Sequence, residues 1–201
     1  MDARREVTLG ILAGGRAQRL GGCDKAWLQR DGQPLVRQLV QALAPSVAAV
    51  LVSANRDLPR YAAVGLHAVP DRIVAPAGAE RSLGPIAGLD ALAAACTTPW
   101  LLTLPVDLRR LPSALPTLLI DAVGAGDGAY VEDDDGLQPL AALYRVARLR
   151  PALAAALAAR DYAPRALQRA LTLACVRLPG VLLGNLNTPQ DLHAAGILPA
   201  P

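Results

Sequence analysis

Residues 12–25 read Leu-Ala-Gly-Gly-Arg-Ala-Gln-Arg-Leu-Gly-Gly-Cys-Asp-Lys, which puts four glycines, two arginines and a lysine directly after a short apolar run. Glycines let backbone N–H groups approach an anion closely and point at it together. Arg16, Arg19 and Lys25 add mobile positive charge that suits a polyphosphate. A plain glycine-rich turn with solvated arginines is the alternative, and the density of these features in one loop favours phosphate binding. Two better-known cradles do not fit. Walker A needs Gly-Lys followed by Ser or Thr, whereas Lys25 follows Asp24 and precedes Ala26. A GxGxxG fingerprint is absent from this loop. The near match Gly124-x-Gly126-x-x-Ala129 precedes a strand instead of opening a helix, and it reads as a turn.

Asp107 follows the apolar run 100–104, so its carboxylate is expected at the sheet edge that carries the first loop. A hard oxygen ligand there can hold Mg²⁺ against substrate phosphates; the competing reading is an ordinary loop aspartate that caps a helix near Pro112. Arg109 and Arg110 either add attraction for anions or sit in solvent. Asp71 can accept N–H donors from a base or ribose edge. Asn185 and Asn187 precede Thr188-Pro189, a good helix start, so one of them could be its cap. The acidic run Glu132-Asp133-Asp134-Asp135 reads as a solvated turn between two strands, because adjacent side chains in a hairpin do not converge. His67 and His193 are isolated and read as structural, and Trp27 and Trp100 as packing.

These residues need a scaffold. Residues 7–12, 47–53, 67–70 and 100–104 form short apolar runs that do not alternate, as strands buried on both faces do. Helical patterns fall at 34–43, 86–95, about 112–123, 149–159 and 188–195, and further strands at 139–144 and 171–178. The alternation predicts βαβ units and a three-layer α/β fold with a mostly parallel sheet. No repeat of fixed period occurs, and residues 1–201 are expected to form one domain.

Of the 201 residues 53% are hydrophobic and 18% charged, which excludes a disordered charged tail. Aromatics make up 3% and Phe is absent, so the core must be built from Ala, Leu and Val, and a base-stacking nucleic-acid platform is not expected. The net charge of +3, without a basic run, suits an anionic small molecule better than a duplex. Cys23, Cys96 and Cys175 form no CxxC pair, which argues for a reducing compartment. The apolar run near the N-terminus stops at Gly14-Gly15-Arg16, too soon for a signal peptide, and no uncharged stretch reaches the roughly 20 residues of a membrane span. A soluble, cytoplasmic protein is expected, with no nucleic-acid or membrane partner.

The pattern LAGG-x3-R-x-GG-x-DK resembles the opening signature of the molybdenum cofactor guanylyltransferases, members of the nucleotidyltransferase superfamily with its Rossmann-like sheet. Here Arg19-Leu20-Gly21-Gly22 stands where that family usually has Arg-Met-Gly-Gly. Ser53-Ala54-Asn55-Arg56, Pro70-Asp71, Gly84-Pro85-Ile86-Ala87-Gly88, Pro105-Val106-Asp107, Gln138-Pro139-Leu140 and Asn185-Leu186-Asn187-Thr188-Pro189 resemble its later segments in order. The resemblance spans about residues 7–195. Departures are Ser53, where Asn is frequent, and Asp107-Leu108-Arg109 in place of Asp-Thr-Pro.

The resemblance implies transfer of GMP from GTP to the phosphate of molybdenum-bearing molybdopterin, with release of pyrophosphate. It implies catalytic roles for Arg19, Lys25 and Asp107, and Mg²⁺ as cofactor on Asp107. It implies nucleotide contacts at Leu12, Ala13, Gly14, Gly15, Lys25, Ser53, Asp71 and Asp107, with guanine near Leu12, Asp71 and the segment 84–88. Asn185 and Asn187 would face the pterin or metal side. Molybdoenzymes and other cofactor-biosynthesis proteins are further candidate partners. Alternatives are a cytidylyltransferase for the same pterin, a sugar-phosphate nucleotidyltransferase and a catalytically inactive nucleotide-binding relative. The second glycine of Leu-Ala-Gly-Gly resembles the guanine-using relatives.

Overall fold

The first strand is central because it is apolar on both sides. A computed structural model describes residues 3–14, 23–73 and 83–198. After a short helix α1 (Ala3–Glu6), β1 (Val7–Leu12) is buried along its whole length. A 3₁₀ turn at Lys25–Trp27 leads through β2 (Gln29–Arg30) and β3 (Gln33–Pro34) into α2 (Leu35–Leu43). There follow β4 (Ala49–Ser53), α3 (Leu58–Ala63), β5 (His67–Val69), α4 (Pro85–Ala95), β6 (Trp100–Pro105) and α5 (Leu115–Ala122). The hairpin β7 (Gly128–Asp133) and β8 (Gly136–Arg145) comes next. The chain ends with α6 (Val146–Ala158), α7 (Arg165–Ala170), β9 (Leu173–Arg177), α8 (Pro189–Ala194) and β10 (Ile197–Leu198).

The main sheet has seven strands in the order β5-β4-β1-β6-β8-β7-β9. β8 is antiparallel to both neighbours, and the remaining pairings are parallel, so the expected mostly parallel sheet is present. Strand alternation splits the core between the two faces. Leu9, Ile11, Leu102, Leu104, Ala141 and Leu143 face one cluster, with α2 and α5. Leu12, Leu101, Ala142 and Tyr144 face the other, with α4, α6 and α7. A second, three-stranded sheet joins β10, β2 and β3.

Three expectations need correction. β8 begins at Gly136, three residues before Pro139, because the proline falls where the β7–β8 register shifts and its missing N–H is not needed. Thr103 Oγ1 donates to the Leu140 and Ala142 carbonyls there, at 3.0 and 3.2 Å. α3 and α7 have six residues each, too few to show a helical period in sequence. Finally, the acidic run is not simply solvated. Glu132 and Asp133 belong to β7, and Asp133 is buried on the same side as Ala129 and Val131. His67 and His193 lie on the surface, whereas Trp27 and Trp100 are buried in the core.

Candidate active site

Sheet growth changes direction at β1: β4 and β5 add on one side and β6 on the other. Open α/β sheets bind ligands outside the carboxyl ends of the strands at such a point. The register makes this edge level. Leu12 is opposite Ser53 on one side and Pro105 on the other, and Ser53 is opposite Val69. Gly14, Asn55, Asp71 and Asp107 each stand two residues beyond one of these four. Backbone bonds continue past the strand ends, from Ala13 N–H to Ser53 C=O (3.0 Å), Val106 N–H to Leu12 C=O (3.0 Å) and Ala54 N–H to Val69 C=O (3.1 Å).

Lys25 enters on its own 3₁₀ turn. Asp24 caps that turn by accepting the Ala26 N–H at 3.0 Å, and its second oxygen accepts the Tyr61 hydroxyl of α3 at 3.1 Å. Burial pushes the Asp24 carboxyl above its usual value, against the pull of these two donors. Trp27 packs on Tyr61 with ring centroids 4.9 Å apart, and the Arg60 guanidinium lies 4.2 Å over Trp27. From this anchored turn Lys25 Nζ donates to Asp107 Oδ2 at 2.6 Å and to Asn187 Oδ1 at 2.8 Å.

A backbone zipper delivers Asn187. Arg109 N–H donates to Leu183 C=O (2.8 Å), Leu108 bridges Asn185, and Leu186 N–H donates to Asp107 C=O (3.0 Å). Leu186 is buried between the exposed Asn185 and Asn187. Gly184 has φ +54°, and a Cβ there would lie 2.6 Å from Arg109 Cδ, so both backbone and packing call for glycine. Neither asparagine is the helix cap, because Thr188 caps α8 in a reciprocal capping box with Asp191. The Thr188 hydroxyl and the Asn187 and Thr188 N–H groups hold the Asp191 carboxyl below the usual range. The capping alternative for Asp107 also falls away, since α5 starts at Leu115 behind Ala114 with no side-chain cap.

On the far side of β1, Asn55 Nδ2 donates to Asp71 Oδ2 and Asp71 N–H donates to Asn55 Oδ1, both at 2.8 Å. Burial, reinforced by the nearby Asp90 charge, pushes the Asp71 carboxyl up, while the Asn55 amide pulls it down. Ser53 is fully buried, and its Oγ has no hydrogen-bond partner. That hydroxyl faces α4, where a Cβ on Gly88 would come within 2.5 Å of it.

Lys25, Asp107 and Asn187 thus meet directly. Leu12, Ala13, Gly14, Ser53 and Asp71 line the same sheet edge, and Asn185 stands beside Asn187. Gly15 and Arg19 lie outside the described residues. Sequence reasoning did not single out the Asp24–Tyr61 anchor or the Asn55 grip on Asp71. An Asp immediately before a short helical turn was the available signal for the first. A carboxylate and an amide oxygen from two segments converge on one cationic nitrogen, which is a hard-oxygen set of the kind Mg²⁺ uses. Among the described residues no group of three or more His, Cys, Asp or Glu could cage an ion. Mg²⁺ commonly takes one or two protein carboxylates and fills its remaining positions with water and phosphate, so these residues fit it.

A lysine and a carboxylate meeting at the switch point, with no nucleophile–base pair among the described residues there, suit charge-assisted transfer of a nucleotidyl group. Residues 9–175 match the MobA-like NTP transferase domain, and the chain belongs to that family of nucleotidyltransferases. It is 32% identical over 187 residues to a molybdenum cofactor guanylyltransferase of Yersinia pseudotuberculosis, covering 92% of each chain. The same identity and coverage hold for the Yersinia pestis protein of that name. The molybdopterin-guanine dinucleotide biosynthesis protein A of Archaeoglobus fulgidus shares the fold, with a TM-score of 0.69, 19% identity and coverage of 94% of this chain and 96% of that one. The 4-diphosphocytidyl-2C-methyl-D-erythritol synthase of Anaerococcus prevotii also shares it, with a TM-score of 0.69, 11% identity and coverage of 96% and 95%. Among the described residues no helix is long and apolar enough to cross a membrane.

Proposed function

We propose that this nucleotidyltransferase, acting as one domain in the cytoplasm, transfers GMP from GTP to the phosphate of molybdenum-bearing molybdopterin. The observation that carries the reading is the meeting of Lys25, Asp107 and Asn187 at the switch point, in a chain whose relatives are named guanylyltransferases. An acceptor phosphate oxygen attacks the α-phosphorus, the bond to the β-phosphate oxygen breaks, and pyrophosphate leaves with that electron pair. Placement and charge neutralisation are sufficient for such a displacement, so no covalent nucleophile is needed.

The residues divide by side. The Leu12–Gly14 backbone, continued by Gly15, holds the nucleotide. Ser53 supports it from beneath through its carbonyl, which fixes Ala13. Asp71, steadied by Asn55, accepts N–H donors of the guanine, with Gly84–Gly88 alongside. Lys25 and Arg19 offset charge on the phosphates, and Asn185 and Asn187 face the acceptor. Asp107, with Asn187 beside it, would hold Mg²⁺, which supplies Lewis-acid polarisation of the phosphates when bound.

The test is pyrophosphate release with each of the four nucleotides and the molybdenum-loaded pterin. GTP should support turnover and CTP should not; release with CTP alone would reassign the base, and GTP binding without release would make the chain a nucleotide-binding relative. Asp107→Ala should reduce turnover by about 10³-fold or more while the melting temperature stays near that of the parent, because several kcal/mol of charge stabilisation are lost. Full activity of that variant at saturating Mg²⁺ would remove Asp107 from the mechanism.

A further inference from the structure

The acidic hairpin between β7 and β8 plays no part in the chemistry proposed above, yet it grips the segment that carries Asn187. Asp133 is buried, and each of its oxygens has a distinct task. Oδ1 accepts the Asp135 N–H at 3.0 Å and Gln138 Nε2 at 2.9 Å, which closes the hairpin on itself. Oδ2 accepts the Leu183 N–H at 2.8 Å, fifty residues further along the chain. Asp134 adds two bonds to the same segment: its N–H donates to Val181 C=O at 3.1 Å, and its Oδ1 accepts the Gly180 N–H at 3.2 Å.

Leu183 is pinned from both sides. Its N–H is held by Asp133, and its carbonyl accepts the Arg109 N–H, two residues beyond Asp107. The chain then runs through the Leu108–Asn185 bridge and the Leu186–Asp107 bond to Asn187, whose amide oxygen meets Lys25. Removing the Asp133 bond therefore leaves Leu183 held by its carbonyl alone where the segment enters the site. A buried carboxylate that accepts three hydrogen bonds has a single arrangement, so it fixes that entry point sharply.

The geometry points to Asp133 as a positioning residue that sets the place of Asn187, and through it binding of the acceptor substrate. This inference rests on the proposed acceptor side of the site. Asp133 touches no reacting atom and acts only through Leu183 and the segment that follows.

The experiment is a double-mutant cycle between Asp133→Asn and Asn187→Ala. In Asp133→Asn an amide N–H₂ opposes the Leu183 N–H if the turn bonds are kept, so the grip on Leu183 is lost. The acceptor KM is expected to rise roughly tenfold, the loss expected for one hydrogen bond to a charged group. GTP affinity, read by calorimetry without acceptor, should stay within about twofold, since the edge formed by β1 and β4 is untouched. In the Asn187→Ala background Asp133→Asn should raise the acceptor KM no further, whereas general loosening of the fold would add to both measurements. Should Asp133→Asn melt below the assay temperature, the exposed-end variant Asp134→Ala, which removes the acceptor of the Gly180 N–H, is used, with a smaller rise in acceptor KM expected. An unchanged acceptor KM in the folded variants, or full additivity in the cycle, overturns the proposal. A parental acceptor KM in Asn187→Ala would instead overturn the acceptor-side placement of Asn187, and this proposal with it.

Discussion

Lys25 has two oxygen partners, but its position is decided one residue earlier. Asp24 caps the turn, and Tyr61 buries and binds the outer carboxylate oxygen. This anchor has a pH signature. Because burial raises the Asp24 pKa above the ordinary 3.8, the folded protein holds that proton more tightly than the unfolded chain does. Stability from this group is therefore fullest below 3.8 and declines as pH rises through the raised value. Asp24→Asn has no such proton. Whatever constant offset the amide brings, the stability of the variant relative to the parent should climb across that window and level off above it. Urea unfolding at a series of pH values reads this directly, and a difference independent of pH would contradict the assignment. Serine at 53 has the opposite character: its hydroxyl is buried and unsatisfied, and only its carbonyl reaches toward the first loop.

The contact between α4 and β4 depends on that small side chain. A Cβ on Gly88 would fall 2.5 Å from Ser53 Oγ, 3.4 Å from Ser53 Cβ and 3.2 Å from Leu12 Cδ2, so the helix rests directly on the strand ends that form the site. Gly88→Ala is expected to destabilise by about 1–3 kcal/mol through overpacking. Since the pressure falls on Leu12, nucleotide binding should weaken as well. Ser53→Ala removes the closest atom, so the pair Ser53→Ala/Gly88→Ala should recover part of the loss in denaturant midpoint. No recovery would mean that Leu12 or the Ser53 Cβ, not the hydroxyl, limits the approach.

The sheet divides the molecule into two apolar clusters with separate helices. Leu119 of α5 belongs to one and Leu153 of α6 to the other, and both are fully buried. Each truncated to Ala should cost about 2–5 kcal/mol. Because the two share no partners across the sheet, their effects should add within about 0.5 kcal/mol in the double variant. Marked non-additivity in chemical denaturation would show that the faces are coupled through the strands. The site lies at the carboxyl edge between these layers, where side chains from β1, β4, β5 and β6 emerge together.

Periodicity and loop chemistry were legible in the chain itself. Strands buried on both faces are written as unbroken apolar runs, which is why β1, β4 and β6 stand out, and the glycines with Lys25 single out the loop after the first of them as the candidate anion site. Asp107 could be assigned to the sheet edge because it directly follows a strand. Period-two alternation of Ala129, Val131 and Asp133 also carried the burial of Asp133, but four consecutive acids suggested solvent instead. What only the tertiary structure decided are the partners. Lys25 meets Asp107 across 82 residues and Asn187 across 162, and Asp133 finds Leu183 across 50. The strands β2, β3 and β10, two residues each, exist only because they pair with one another. Local sequence sets backbone preference and burial pattern, whereas a hydrogen bond between distant segments depends on strand order and register, which are settled when the whole core packs.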